Sequence, residues 1–146
     1  MKFYDDSDWV SDPEDRKSVS GVMGFVLGSL VALTSRKQIT QALSSCEAEY
    51  YAICDAMKML LHMCMLLRQL FYVHHPVPLM IDNIGAVYMA QNAVNNKRTK
   101  HIDIRYHFIR EHIKNGAVEL FYVETNLNIA DIMTKALSPY YVNVNH

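Results

Sequence analysis

Val77-Pro78-Leu79-Met80-Ile81-Asp82-Asn83 is a short apolar run closed by an acid and an amide. A run of this kind reads as a strand buried on both faces, as in a parallel sheet between covering helices, and Asp82 closes it. Just upstream, His74-His75-Pro76 stops a long segment rich in Ala, Met and Leu and free of Gly and Pro. That segment opens at Ser44-Ser45, an N-cap signal with Glu47 shortly after, and runs to residue 71, which predicts a long, deeply packed helix. Downstream, residues 83–91 read as a short helix, 99–114 as a longer one ended by Asn115-Gly116, and 117–123 as another strand, with a last short helix beginning near Asn128.

Toward the N-terminus, residues 3–9 alternate polar and apolar, and Asp12-Pro13-Glu14-Asp15 gives a turn. Residues 19–27 and 29–34 are β-branched or aliphatic runs punctuated by Gly21, Gly24 and Gly28, so a hairpin follows. The predicted order is three strands, helix, strand, two helices, strand, helix, without internal repeat, low-complexity stretch or linker. This is an α/β domain over residues 1–137, followed by a tail, 138–146, to which no role is assigned.

With 146 residues, 51% of them hydrophobic, the chain is long enough for one domain with a core and too short for two ordinary ones. Its greasiest region, residues 57–70, is broken by Lys58, His62 and Arg68, so a membrane span is not expected. Met1-Lys2-Phe3-Tyr4-Asp5-Asp6 lacks the apolar stretch of a secretory leader. Cys46, Cys54 and Cys64 are odd in number and form no C-x-x-C pair, which suits reduced thiols in a core. The stripe of Met and Cys from Cys54 to Met65 has helical spacing and no cofactor signature, and is read as core. A net charge of −1 means that a nucleic-acid partner would be held by a local basic patch rather than by the field of the whole domain.

Four acids stand where predicted elements begin or end: Asp6 in the first strand, Glu49 in the first turns of the long helix, Asp82 after the fourth strand and Asp131 at the last helix. Acids at loop ends are ordinarily just surface. If these converge, charges ~4 Å apart repel by roughly 4 kcal/mol per pair at an effective dielectric of 20, and divalent cations would relieve that repulsion. Hard carboxylate ligands suit Mg²⁺ or Mn²⁺, and two such ions can serve phosphodiester hydrolysis. On the strand, Asp6 and Asp8 share a face and Asp5 takes the other, because side chains alternate. On the helix, Glu47 and Glu49 lie about 200° apart, so only one can serve a given site. Glu49 shares its stripe with Ala52, Ile53 and Ala56, whereas Glu47 fits the N3 place of a capping box with Ser44.

Four stretches are more specific: Tyr4-Asp5-Asp6-Ser7-Asp8-Trp9, Leu43-Ser44-Ser45-Cys46-Glu47-Ala48-Glu49-Tyr50, Ile81-Asp82-Asn83, and Ala130-Asp131-Ile132-Met133-Thr134-Lys135. A fifth is the basic run Arg98-Thr99-Lys100-His101-Ile102-Asp103-Ile104-Arg105-Tyr106-His107-Phe108-Ile109-Arg110-Glu111. In this order, from Tyr4 to about Leu137, they resemble the ribonuclease H of copia-type (Pseudoviridae) LTR-retrotransposon Pol polyproteins. The resemblance implies a ribonuclease H-like fold, a five-stranded mixed sheet of three antiparallel strands then two parallel ones, flanked by helices. It implies hydrolysis of the RNA strand of an RNA–DNA hybrid during reverse transcription, leaving 5′-phosphate and 3′-hydroxyl ends.

The family pattern selects Asp6 in the first strand, and Tyr50-Tyr51-Ala52 supports Glu49 on the helix. The implied catalytic and metal set is Asp6, Glu49, Asp82 and Asp131. Asp6 and Asp82 would bridge or bracket two Mg²⁺ ions, with Mn²⁺ able to substitute, and no small-molecule cofactor is expected. A reverse transcriptase domain of the same polyprotein is the expected partner, and cytoplasmic virus-like particles and then the nucleus the expected location. Many ribonucleases H carry a histidine in the loop before the last aspartate, and Thr125-Asn126-Leu127-Asn128 contains none. The competing functional classes are a catalytically inactive, nucleic-acid-binding remnant and a fold-sharing transposase or integrase.

Lys97, Arg98, Lys100, His101 and Arg105 are the candidate phosphate contacts. The alternative for these cations is a solvated helix face paired with Asp103 and Glu111. His101, His107 and His112 are spaced by six and five, not by the i, i+4 step that puts two imidazoles on one helix face, so zinc is not expected. Trp9 is read as a packing residue near the site.

Overall fold

The structure, a computed structural model, describes residues 1–92 and 100–135, without the side chains of 100–103. Ten elements follow in chain order. They are β1 (Lys2–Asp8), β2 (Val19–Val26), β3 (Ser29–Lys37), α1 (Ser45–Leu67), β4 (Val77–Ile81), α2 (Ile84–Gln91), α3 (Lys100–Lys114), β5 (Val118–Tyr122) and two short 3₁₀ turns, η1 (Thr125–Leu127) and η2 (Ile129–Met133). The expected order of elements stands. Their ends differ: β3 reaches three residues beyond the expected Thr34 and α1 stops four residues before Phe71; the last short helix, expected near Asn128, is the 3₁₀ turn η2.

The five strands form one sheet in the order β3-β2-β1-β4-β5. β1 pairs antiparallel with β2, and β2 with β3, while β1–β4 and β4–β5 are parallel. This is the expected mixed sheet, with β1 at its centre. Register aligns Ala32, Gly24, Phe3, Leu79 and Leu120 in one row across all five strands. The four with side chains are buried in the core that α1 covers. The neighbouring row, Leu33, Met23, Tyr4, Met80 and Phe121, points to the other face, where Leu33 and Phe121 stay exposed. The core therefore lies on the α1 side of the sheet, as the period-2 alternation of strand side chains requires.

Helix α1 buries residues along most of its length, including Ala52, Ile53, Ala56, Met57, Leu60 and Cys64. An 18-residue window of it has a mean hydropathy of 1.3, enough by length and composition for a membrane span. Half of that window is buried inside the domain, as befits a core helix. Within the stripe read as core, Cys54, Met57 and Cys64 are buried, but Met65 is exposed because it shares the outer face of the helix with Lys58, two turns before it. Cys46 is half-buried, its sulfur 3.1 Å from Met89 Sδ. The rings of Tyr50 and Tyr106 stack at 4.5 Å and join α3 to α1.

On the opposite face, η2 lies against Gly21 of β2. A Cβ there would stand 2.7 Å from Met133 Cβ and 3.0 Å from Thr134 Cγ2. Ser35 Oγ donates to the Met133 carbonyl beside it, and Asp6, Gly21 and Ser35 are register partners on this face. The sequence marked Gly21 as a punctuation residue; its role in the fold is close approach. Gly21→Ala is expected to lift η2 and to destabilise the domain by roughly 1–3 kcal/mol, the usual cost of overpacking. Thermal unfolding followed by circular dichroism measures this, and an unchanged midpoint would show that η2 is not held there.

Candidate active site

The β1–β4 pairing ends at Asp5 opposite Ile81, so Asp6 and Asp82 are the first residues beyond it, where the two strands part. The first turns of α1 pass over this edge and bring Glu49 down to it. Carboxylate oxygens of Asp6, Glu49 and Asp82 all lie within 4.8 Å of one another. Asp6 and Glu49 are buried, at 4% and 2% exposure, so the cluster is sunk into the domain.

Each acid is aimed by a neighbour. Ser7 Oγ donates to Glu49 Oε2 at 2.6 Å, and Thr134 Oγ1 donates to Asp6 Oδ2. Asn83 follows Asp82 and caps α2, its Oδ1 accepting from Ala86 N at 3.0 Å, which fixes the turn that carries Asp82. Glu49 Oε1 and both carboxylate oxygens of Asp5 are buried without a hydrogen-bond partner among the described residues. Buried anionic oxygens without donors are costly, and a cation would satisfy those that face the cluster.

The fourth expected acid stands apart. Asp131 lies on η2 outside the three-acid cluster, its carboxylate paired with Lys135 four residues on. It remains near enough to Asp6 to affect its titration. Asn128 holds this turn in place: its Nδ2 donates to the Asp5 carbonyl at 2.8 Å, and its Oδ1 accepts from Ala130 N at 3.2 Å. Glu47 serves structure, as expected, although its carboxylate reaches back to Leu43 N rather than to the N-cap amide, and Tyr51 also donates to it. Ser44 caps α1 by accepting from Glu47 N.

Ser7, Asn128, Thr134 and Lys135 were not singled out by the sequence reading. Thr134 and Lys135 lie inside a quoted stretch, and Ser7 lies in another on the strand face opposite Asp6, but nothing in the spacing tells which acid each would meet. Of the candidate phosphate contacts, Lys97 and Arg98 lie outside the described residues. Lys100 and His101 are placed by backbone only, at the start of α3. The Arg105 guanidinium sits over the Tyr51 ring, 4.3 Å from its centroid, in a cavity of about 160 Å³ that Arg36, Lys58 and Asp55 also line. Trp9, read as packing, is 44% exposed, with its indole N–H donating to the Ala42 carbonyl at 3.1 Å.

Burial pushes the Asp6 carboxyl up to about 6; Asp82 and Asp131 push the same way, against the Thr134 hydrogen bond and Lys135. Burial also raises Asp5 and Glu49 well above the usual carboxylate range, and neighbouring acids add to it.

A sheet of this order, with acids at the edge where its central strand parts from a parallel neighbour, defines a ribonuclease H-like fold. Among solved structures, LC11-RNase H1 in complex with RNA/DNA hybrid matches with a TM-score of 0.63 and 17% identity, over 88% of this chain and 89% of that one. The N-terminal RNase H domain of Rv2228c from Mycobacterium tuberculosis matches with a TM-score of 0.64 and 11% identity, over 92% and 91%. In sequence, the chain is 37% identical over 136 residues to the retrovirus-related Pol polyprotein from transposon RE2 of Arabidopsis thaliana. It is 33% identical over 137 residues to that from transposon TNT 1-94 of Nicotiana tabacum. These alignments cover 92% and 94% of this chain but 9% and 10% of the polyproteins, so the chain spans about a tenth of its curated relatives. No family model matches it. The chain belongs to the copia-type retrotransposon Pol polyproteins, as the counterpart of one segment of them.

The raised acids set a testable pH dependence. A folded carboxyl that titrates above its unfolded value keeps its proton longer in the native state, so native stability falls as the pH rises. For Asp6 that contribution is intact below its ordinary 3.8 and lost as the pH passes about 6. In chelator, the melting temperature should therefore fall between about pH 4 and about pH 7, with Glu49 and Asp5 extending the loss upward. Added Mg²⁺ should restore more stability at about pH 7.5 than at about pH 5, because protons and metal compete for the same oxygens. A melting temperature independent of both would contradict the cluster.

Proposed function

We propose that this domain is a metal-dependent endonuclease that hydrolyses the RNA strand of RNA–DNA hybrids during retrotransposon reverse transcription. The observation that carries the proposal is the convergence of Asp6, Glu49 and Asp82 within 4.8 Å at one edge of a ribonuclease H-like sheet. An all-carboxylate donor set, with Glu49 Oε1 buried and unpartnered, fits a hard divalent cation. Asp6, Glu49 and Asp82, joined by Asp131 once it leaves Lys135, would hold two Mg²⁺ ions, for which Mn²⁺ can substitute. Bound there, the ions supply an activated water and offset charge on the phosphate in an in-line displacement.

The chain's own residues prepare this. Ser7 keeps Glu49 turned toward the cluster and Thr134 does the same for Asp6. Lys135 holds Asp131 as a reserve ligand on a turn anchored by Asn128. The phosphates of the hybrid would run along the basic segment that contains Lys97, Arg98, Lys100, His101 and Arg105. The complex of LC11-RNase H1 with RNA/DNA hybrid, which shares this fold, supports the substrate class. The Pol polyprotein relatives support a polyprotein context. Within it the proposed partner is a reverse transcriptase domain, and the proposed location is cytoplasmic virus-like particles and then the nucleus.

Incubation with a labelled RNA–DNA hybrid and Mg²⁺ or Mn²⁺, beside single-stranded RNA and duplex DNA, tests this. Cleavage of hybrid RNA alone is expected, with a loss of at least about 10³-fold in Asp82→Asn, on the scale of removing an electrostatic stabiliser. No cleavage by folded, metal-loaded protein would replace the enzyme with a nucleic-acid-binding remnant, and strand transfer on duplex DNA would favour the transposase class.

A further inference from the structure

β1 sends Phe3, Asp5 and Ser7 to the α1 side of the sheet, and Trp9, the next in that alternation, also meets the segment leading into α1. Ser7 touches Glu49, so Trp9 stands one step of alternation, about 7 Å, from a residue that holds the carboxylate site. Its indole N–H is fixed on the Ala42 carbonyl, yet 44% of the residue faces solvent. Trp9 thus presents an anchored ring at the lip of the site. It lines a recess of about 180 Å³ with Val10, Arg16, Gln41, Ala42 and Leu43, in which Arg16, Gln41 and Leu43 are exposed. Val10, which turns the chain away just after the ring, takes a left-handed backbone conformation with φ of 55°, unusual for a β-branched residue.

A fixed aromatic face, an exposed guanidinium and an amide side by side suit one unit of a nucleic-acid backbone, with sugar against ring and phosphate against Arg16. We propose that Trp9 is a substrate-positioning residue whose ring packs against a sugar of the nucleic acid held at the carboxylate site. This rests on the hybrid-cleaving function proposed above. The ring would set where the strand lies relative to Asp6 and Asp82, and its loss would weaken substrate binding more than the chemical step.

Trp9 is the sole tryptophan of the chain, so its emission reports on this position alone. A short RNA–DNA hybrid titrated onto the Asp82→Asn protein should quench that emission saturably, in step with the anisotropy of a label on the hybrid. In steady-state cleavage by otherwise wild-type protein, Trp9→Ala should raise KM about tenfold with kcat kept within about twofold, on the scale of one stacked contact. Trp9→Phe should stay within about twofold of wild type, since it keeps a ring while losing the N–H that bonds Ala42. Hybrid binding seen by anisotropy with unchanged emission would overturn the proposal. So would a Trp9→Phe protein as impaired as Trp9→Ala, which would assign the residue to holding Ala42. Wild-type cleavage in the same series separates the two ideas: cleavage with a silent Trp9 refutes only the positioning role, whereas neither binding nor cleavage refutes both.

Discussion

Three carboxylates held within 4.8 Å of one another, if ionised, repel by at least roughly 3.5 kcal/mol per pair at an effective dielectric of 20, and two of the three are buried. Left to themselves they would separate or take up protons; burial first, and the neighbouring acids after it, raise the titration of Asp6 and Glu49. What keeps them together is the core on one side of the sheet. Phe3 and Leu79, fully buried in adjacent strands, fix β1 beside β4, and the buried stripe of α1 presses Glu49 toward the edge where those strands part. Apolar burial on the far side of each element thus offsets charge repulsion at its end.

The opposite face is built for approach rather than bulk. Its cover at the site is a 3₁₀ turn that comes down on a glycine, bonded by Ser35 to β3 and by Asn128 to the backbone of β1. Because this attachment consists of a few bonds rather than a packed helix, Asp131 can stand off from the other acids, paired with Lys135, and still lie within electrostatic reach of Asp6. The site has a rigid part, set by β1, β4 and α1, and a part set by a turn.

Much of this is legible in the sequence. The apolar run ending at Asp82, the Gly-free helix after Ser44 and the glycine-marked hairpin follow from local rules of burial and capping, and they put the elements in the right order. Asp6, Glu49 and Asp82 were legible because each sits at an element boundary inside a specific stretch. The rest depends on contacts between residues far apart in the chain. Thr134 meets Asp6 across 128 positions and Asn128 meets the Asp5 carbonyl across 123, and no periodicity encodes such pairs. Trp9, expected as a packing residue near the site, keeps 44% exposure because β1 ends at Asp8 and the ring lies past the strand, a detail that the alternation pattern does not carry. The α1 terminus was placed too late because the apolar residues at 70 and 71 continue the helical pattern in a stretch where no strand remains to bury them, and both are exposed.

The central claim is that the converged acids are a metal site. Electron paramagnetic resonance of Mn²⁺ titrated into the protein counts bound ions directly, because free aqueous Mn²⁺ gives the dominant signal. The account predicts saturable uptake near neutral pH, approaching two ions per chain, that weakens sharply in Asp82→Asn and is displaced by Mg²⁺. Absence of uptake, or uptake that Asp82→Asn leaves unchanged, would contradict it.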